Sequence, residues 1–280
     1  MHVDVDGCKL SFTVTGPEQA PALLLLNALG TTTDLWAAQT APFSRVLRVV
    51  RCDTRGHGGS DAPAGDYTLD RLGRDALAVL EAAGAGRAHV CGVSLGGLVA
   101  LWLARHAPER VDRVVAANTG ARVGTPEMWR RRIAAARAEG MAALAEPALR
   151  RWFTARFRQT DPAIADRFRS MIAACPVDGY AGCCAALRDA DLRDDLPRIA
   201  ARTLVVTGRR DEATPPSLGD ALREGVAGAR GVALDAAHLA NVEQSKAFTA
   251  AVIEFLTSSV PDESRRQSDH DGLRPPEAID

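Results

Sequence analysis

Short runs that are apolar at nearly every position recur along this chain, and helix-period segments separate them. Ala22–Leu26, with four consecutive leucines, is the clearest. Runs at Val46–Val50, His89–Val93, Val111–Ala117 and Thr203–Thr207 have the same character. A strand that alternates apolar and polar residues keeps one face in water. A strand without alternation is covered on both faces, as in a parallel sheet flanked by helices. Helical spacing fills the gaps. Leu69, Leu72, Ala76 and Leu80 recur at helical intervals within Tyr67–Ala83, which Gly84 stops, and Leu95–His106 ends before Pro108. The alternation predicts an α/β fold with a mostly parallel, doubly wound sheet. Only the start departs from it. Val3–Thr15 alternates around Asp6-Gly7, which predicts an antiparallel hairpin ahead of the parallel strands.

The rhythm stops after Thr119 and resumes at Thr203. Between them lie Arg- and Ala-rich segments with helical character: Pro126–Glu139, Met141–Phe157, Pro162–Ala174 and Tyr180–Ala190. After Thr207 come helical Ser217–Gly225, a strand at Gly231–Leu234 and helical Val242–Thr257. The expected division is a core of residues 1–121 and 196–258, a helical cap of residues 122–195 inserted within it, and a polar, disordered tail at 259–280.

Charge and cysteine usage bound the function. Lys plus Arg is 34 and Asp plus Glu is 35, a net charge of −1, without the basic excess of a nucleic-acid binder. The start, MHVDVDGCKL, lacks the basic-then-apolar pattern of a signal peptide. The apolar runs are too short to span a bilayer. The six cysteines include no CxxC pair. These features predict a cytoplasmic chain with reduced thiols, no nucleic-acid or membrane partner, and no metal or cofactor. Monomer and homo-oligomer are both left open.

The candidate chemistry lies at the carboxyl ends of the strands. Gly92-Val93-Ser94-Leu95-Gly96 is a G-x-S-x-G motif that follows a strand and opens a helix, as a nucleophile elbow requires. A serine hydroxyl needs a base to take its proton. On such folds the acid and then the histidine follow the serine in the chain. His238 lies just after the last strand; His270 falls in the tail. Asp211 follows the Thr203–Thr207 strand and is the expected acid, with Glu212 and Asp235 as alternatives. Two backbone N–H groups should face the developing oxyanion. Leu95, directly after the serine, supplies one; Leu29 in Asn27-Ala28-Leu29-Gly30, or else Ala28, supplies the other. A second glycine cluster, Thr54-Arg55-Gly56-His57-Gly58-Gly59-Ser60, reads as a structural turn whose histidine is satisfied by backbone groups, since it precedes the serine.

Together these residues resemble an α/β-hydrolase with a helical cap, and more narrowly the 3-oxoadipate enol-lactonases. The narrower likeness rests on Asn27–Trp36 (NALGTTTDLW), the Leu47–Ser60 stretch, Cys91–Val99, Ala107–Arg110, Ala117–Gly124 and the cap segments Trp152-Phe153-Thr154 and Gly179–Asp189. Asp211–Pro216 and Ala236–Glu243 extend it. The resemblance implies hydrolysis of a small anionic enol-lactone in aromatic-compound catabolism (the β-ketoadipate pathway), through an acyl-enzyme on Ser94. It further implies a cationic partner under the cap for the substrate carboxylate, ideally a bidentate arginine. Arg122, Arg132, Arg156 and Arg188 are all available there. Arg122, Trp152 as an apolar wall, and Tyr180 are the expected pocket residues. A broader carboxylesterase or lactonase of the same fold is the alternative reading, and a non-catalytic ligand receptor a more distant one.

Overall fold

The computed structural model describes residues 1–258. The tail expected to be disordered, 259–280, lies outside the described residues. Eight strands form one sheet: β1 (His2–Val5), β2 (Cys8–Thr15), β3 (Ala22–Leu26), β4 (Arg48–Cys52), β5 (Ala88–Val93), β6 (Val111–Ala117), β7 (Arg202–Gly208) and β8 (Arg230–Leu234). Their order across the sheet is β1-β2-β4-β3-β5-β6-β7-β8. β1 and β2 pair antiparallel, as do β2 and β4. All remaining pairs are parallel. The first hairpin closes through Asp6 (φ 52°) and Gly7 (φ 77°), the paired positive-φ residues that a two-residue turn matched to strand twist requires. β3 and β5 are buried at every position, so neither needs alternation.

The helices are α1 (Ala37–Phe43), α2 (Leu69–Ala82), α3 (Leu95–His106), α4 (Pro126–Trp152), α5 (Ala155–Thr160), α6 (Pro162–Ala173), α7 (Val177–Asp189), α8 (Pro216–Gly225), α9 (Ala240–Glu243) and α10 (Ser245–Thr257). Four of them, α4 to α7, lie between β6 and β7, in the stretch where strand rhythm is missing from the sequence. α4 is two helical segments joined at Gly140, whose φ of 75° and ψ of 171° are not helical. The second segment stops at Trp152 rather than running to Phe157. Phe153 is extended, and Thr154 accepts a hydrogen bond from the Phe157 N–H to cap a new helix. A threonine is worth more at a helix start than inside one. Val242–Thr257 is likewise split, at Gln244. The fourth strand starts at Arg48, two residues later than the apolar run that announces it, and Val46 is exposed. Among the described residues no single helix is long and apolar enough to cross a membrane.

The topology selects one edge for a site. From β3 the chain passes to β4 on one side, then returns to β5 on the other. The carboxyl ends of β3 and β5 therefore adjoin where the winding reverses, which is where open α/β sheets bind ligands.

Candidate active site

Ser94 sits between β5 and α3 with φ 56° and ψ −115°. A non-glycine residue held there stores about 1–3 kcal/mol of strain, so its surroundings must impose the geometry. Two contacts from the end of β6 do so. The Ser94 N–H donates to the Ala117 carbonyl (2.9 Å), and Thr119 Oγ1 donates to the Ser94 carbonyl (2.8 Å). Glycine on either side is a steric necessity. A Cβ on Gly92 would lie 2.0 Å from the Gly96 carbonyl oxygen, and one on Gly96 2.2 Å from that of Leu26.

His238 and Asp211 meet on the far side of the same edge. Asp211 Oδ2 accepts from His238 Nδ1 at 2.8 Å, and both residues are buried. The carboxylate is held from every direction. Its Oδ1 accepts from the Ala213 and Thr214 N–H groups (2.8 and 2.9 Å), and its Oδ2 from Thr214 Oγ1 (2.6 Å) and Asn118 Nδ2 (3.0 Å). Burial alone would raise the Asp211 pKa. The imidazole and the Thr214 donors outweigh it and hold the carboxyl below its ordinary range. A carboxylate fixed in this way orients the ring, stabilises its protonated form and leaves Nε2 to accept a proton. Of the alternative acids, Asp235 pairs with Arg210 at the surface (2.8 Å), and Glu212 stands exposed at the rim of the cavity described below.

Leu95 is the first residue of α3, so its N–H has no carbonyl of the helix to reach. Leu29 follows β3, and among the described residues its N–H meets no protein acceptor. Asn27 is otherwise engaged. Its Nδ2 donates to the Cys52 carbonyl and its Oδ1 accepts from Trp36 Nε1, which ties the loop to the strand ends beneath it.

A cavity of about 130 Å³ joins these groups. Leu29, Ser94 and His238 line its floor, and Trp129, Arg132, Arg151, Trp152 and Tyr180 come from the helices above. The structure thus brings Trp152 and Tyr180 to the cavity but leaves Arg122 outside it. Arg122 precedes the first cap helix, and its guanidinium pairs with Asp191 (3.4 Å) at the surface. Arg188 pairs with Asp66 and Asp189, and Arg156 lines a separate surface groove. Of the four arginines available from the sequence, Arg132 alone reaches the cavity, lying 5.0 Å over the Trp129 ring. Arg151 is the cationic residue that sequence reasoning missed. Burial, and after it the charge of Arg132, pulls its pKa below the ordinary value. A guanidinium stays protonated all the same, and among the described residues neither arginine has a carboxylate partner. The signal for it is spacing: Trp129 and Arg132, then Ala148 and Arg151, each stand three apart, on one helical face.

Two more residues, both inside segments that carry the family likeness but given no role from the sequence, carry structural weight. Asn118, at φ 46°, donates to both Asp211 and the Ala237 carbonyl. Glu243 accepts from the Ala237 N–H (3.1 Å), the Thr154 N–H (3.2 Å) and Thr154 Oγ1, which ties the His238 loop to the base of the cap.

An elbow serine beneath a roof of inserted helices, with a buried Asp–His pair beside it, defines an α/β hydrolase, and residues 21–245 match the α/β hydrolase fold family. The chain is 40% identical over 243 residues to 3-oxoadipate enol-lactonase 2 of Acinetobacter baylyi, spanning 87% of this chain and 91% of that protein. It is 37% identical over 258 residues to 3-oxoadipate enol-lactonase 1 of the same organism, spanning 92% and 97%. The crystal structure of the enol-lactonase from Burkholderia xenovorans LB400 superposes with a TM-score of 0.91 at 42% identity, covering 92% of this chain and all of that one. The chain belongs to the 3-oxoadipate enol-lactonase family.

Proposed function

We propose that this chain opens 3-oxoadipate enol-lactone to 3-oxoadipate in the β-ketoadipate pathway, through an acyl-enzyme on Ser94. One observation carries the reading: a single cavity joins Ser94 and His238 to two guanidiniums that have no carboxylate partner among the described residues. The substrate is a five-membered enol-lactone bearing a carboxylate. Arg132 and Arg151 bind that carboxylate from the roof, while Trp129 and Trp152 cover the ring. Ser94 Oγ attacks the lactone carbonyl as His238 Nε2 takes its proton, and the imidazolium is stabilised by Asp211. The tetrahedral oxyanion rests on the Leu29 and Leu95 N–H groups. Collapse breaks the ring C–O bond. The enol oxygen leaves, recovers the proton and ketonises, which makes ring opening effectively irreversible. His238 then takes a proton from water, which attacks the acyl-serine and frees the second carboxylate. The helical segment 122–195 acts as the cap that keeps bulk water from the arginines and so strengthens their hold. The cytoplasm is the compartment this reading assigns.

The test is an assay of enol-lactone consumption beside hydrolysis of p-nitrophenyl acetate, in the wild-type chain and in Ser94→Ala. The expected result is a large preference in kcat/KM for the lactone and loss of both activities in the variant. Preference for the simple ester overturns the substrate; activity surviving in Ser94→Ala overturns the mechanism.

A further inference from the structure

His57 has no part in the chemistry above, yet it is one of the most completely enclosed polar side chains in the molecule, 1% exposed. Its Nε2 accepts a hydrogen bond from the Gly30 N–H at 2.9 Å, and its Nδ1 lies 3.2 Å from the Arg55 carbonyl. These partners select one tautomer. The Gly30 N–H demands a lone pair on Nε2, and the Arg55 carbonyl demands a proton on Nδ1. Gly30 directly follows Leu29, so the peptide that His57 holds adjoins the one whose N–H faces the oxyanion. A second tie runs parallel: Asp53 accepts from the Thr33 N–H (2.7 Å) and from the Gly59 N–H (3.0 Å), joining the same two loops.

We infer that His57 is a positioning residue for the oxyanion loop: as a neutral acceptor it fixes the Gly30 peptide, and through it the direction of the Leu29 N–H. The inference rests on the reading of Ser94 as nucleophile and Leu29 as oxyanion donor. Protonation would place an N–H on Nε2 against the N–H of Gly30, so the bond exists only with the neutral ring. The surroundings keep the ring neutral. Burial lowers the His57 pKa, against smaller opposing effects from the Arg55 carbonyl and the Asp53 carboxylate. The other ionisable groups lining the cleft beside it are Asp34 from the oxyanion side and Arg167 and Cys175 from the cap. The cap also braces the backbone that carries His57. A Cβ on Gly56 would lie 2.3 Å from the Gly179 Cα of α7, and the Cys175 and Cys183 thiols donate to the Gly56 and Arg55 carbonyls (3.7 Å each). His57 is thus held from the cap side and holds the oxyanion loop in turn.

Two substitutions separate positioning from packing. In His57→Asn the amide sits where Nδ1 was, keeps the Arg55 contact and loses Gly30. In His57→Gln the longer side chain carries its carbonyl oxygen to the Gly30 N–H. The expected result for Asn is a fall in kcat of about tenfold to a hundredfold at unchanged KM, below the loss from deleting an oxyanion donor outright. A boronic acid that forms a tetrahedral adduct on Ser94 should weaken by a similar factor, while a planar carboxylate ligand should not. Gln should restore most of both. Unchanged kcat in Asn, or equal losses in Asn and Gln that follow their melting temperatures, overturns the inference. The same measurements run on p-nitrophenyl acetate, because oxyanion positioning serves any acyl transfer. Failure of lactone turnover in the wild-type chain therefore bears on the proposed substrate and leaves this test intact.

Discussion

Two loops at the carboxyl edge of the sheet each bury a histidine bonded at Nδ1, and they do opposite things with it. After β8, His238 Nδ1 meets the Asp211 carboxylate, and the ring lines the cavity with Ser94. After β4, His57 Nδ1 meets a peptide carbonyl, and Nε2 is spent on the Gly30 N–H. A carboxylate stabilises the imidazolium, so the first ring can take a proton and return it. A carbonyl offers only a dipole against the full cost of burying charge, so the second ring stays neutral and acts as a fixed acceptor. What sets the proposed base apart is therefore the charge behind it and an Nε2 not spent on a backbone N–H, since burial and hydrogen bonding are common to both.

The largest test of this contrast removes the charge and keeps the shape. Asp211→Asn should lower kcat by about 10⁴-fold, because an amide stabilises the wrong tautomer and no imidazolium. His57→Asn should cost no more than about a hundredfold on the same substrate. Equal losses in the two variants, measured by steady-state kinetics, would break the comparison.

The next effect concerns the spaces the two rings border. The His238 cavity holds Arg132 and Arg151, which have no carboxylate partner among the described residues; the His57 cleft holds Arg167, which donates to the Asp34 carbonyl. Replacing Arg132 or Arg151 by Met should raise KM for the anionic lactone by roughly tenfold to a hundredfold, from the usual worth of a hydrogen bond to a charged group. Turnover of uncharged p-nitrophenyl acetate should change little. Arg167→Ala should leave both unchanged. A KM effect from Arg167 comparable with that from Arg151 would place the anion in the wrong space.

A smaller effect separates the ties that hold each loop to the cap. The His57 loop is seated by a close backbone approach and two thiol contacts, whereas the His238 loop is tied by the Glu243 carboxylate and by the Leu239 N–H, which donates to the Trp152 carbonyl (3.0 Å). Glu243→Ala leaves the Ala237 and Thr154 N–H groups without their acceptor. It should destabilise the fold by about 1–3 kcal/mol in urea titration, with a modest fall in kcat. No change in the unfolding midpoint would remove Glu243 from this account.

The same contrast governs what the sequence reveals. Ser94, Asp211 and His238 are legible because each lies within a short loop after a strand, and chain order on a parallel sheet puts strand ends side by side. The parallel sheet is legible for a related reason: strands such as Ala22–Leu26 can be apolar throughout only if both faces are covered. The cap is different. Helical periodicity tells which residues share a face, but it does not tell which face meets the core, and the break at Gly140 resets the phase midway along α4. Arg151 was hidden for that reason. Arg122 lies before the first cap helix, where no periodicity exists, and only the fold reveals that Asp191 claims it. His57 was legible as a turn histidine on backbone partners, but which backbone it meets depends on two loops 27 positions apart in the chain.

The smallest predicted effect distinguishes the two rings without any substrate. Burial lowers the His57 pKa below the ordinary value of about 6.5. In the unfolded chain the ring takes a proton as pH falls through about 6.5; in the folded chain it resists. Stability linked to His57 is therefore fully present above that pH and is lost as pH falls toward the folded pKa. His89 has the same sign, with burial as its largest cause, and Asp211 adds a loss in the carboxylate range below about pH 4. His57→Gln should flatten the slope of unfolding free energy as pH falls below about 6.5, by at most about 1.4 kcal/mol per pH unit. The His89 contribution should remain. Urea titrations at several pH values measure this directly. A slope identical in wild type and variant would mean that the folded ring takes its proton as readily as the unfolded one, and that neither burial nor the Gly30 bond holds it neutral.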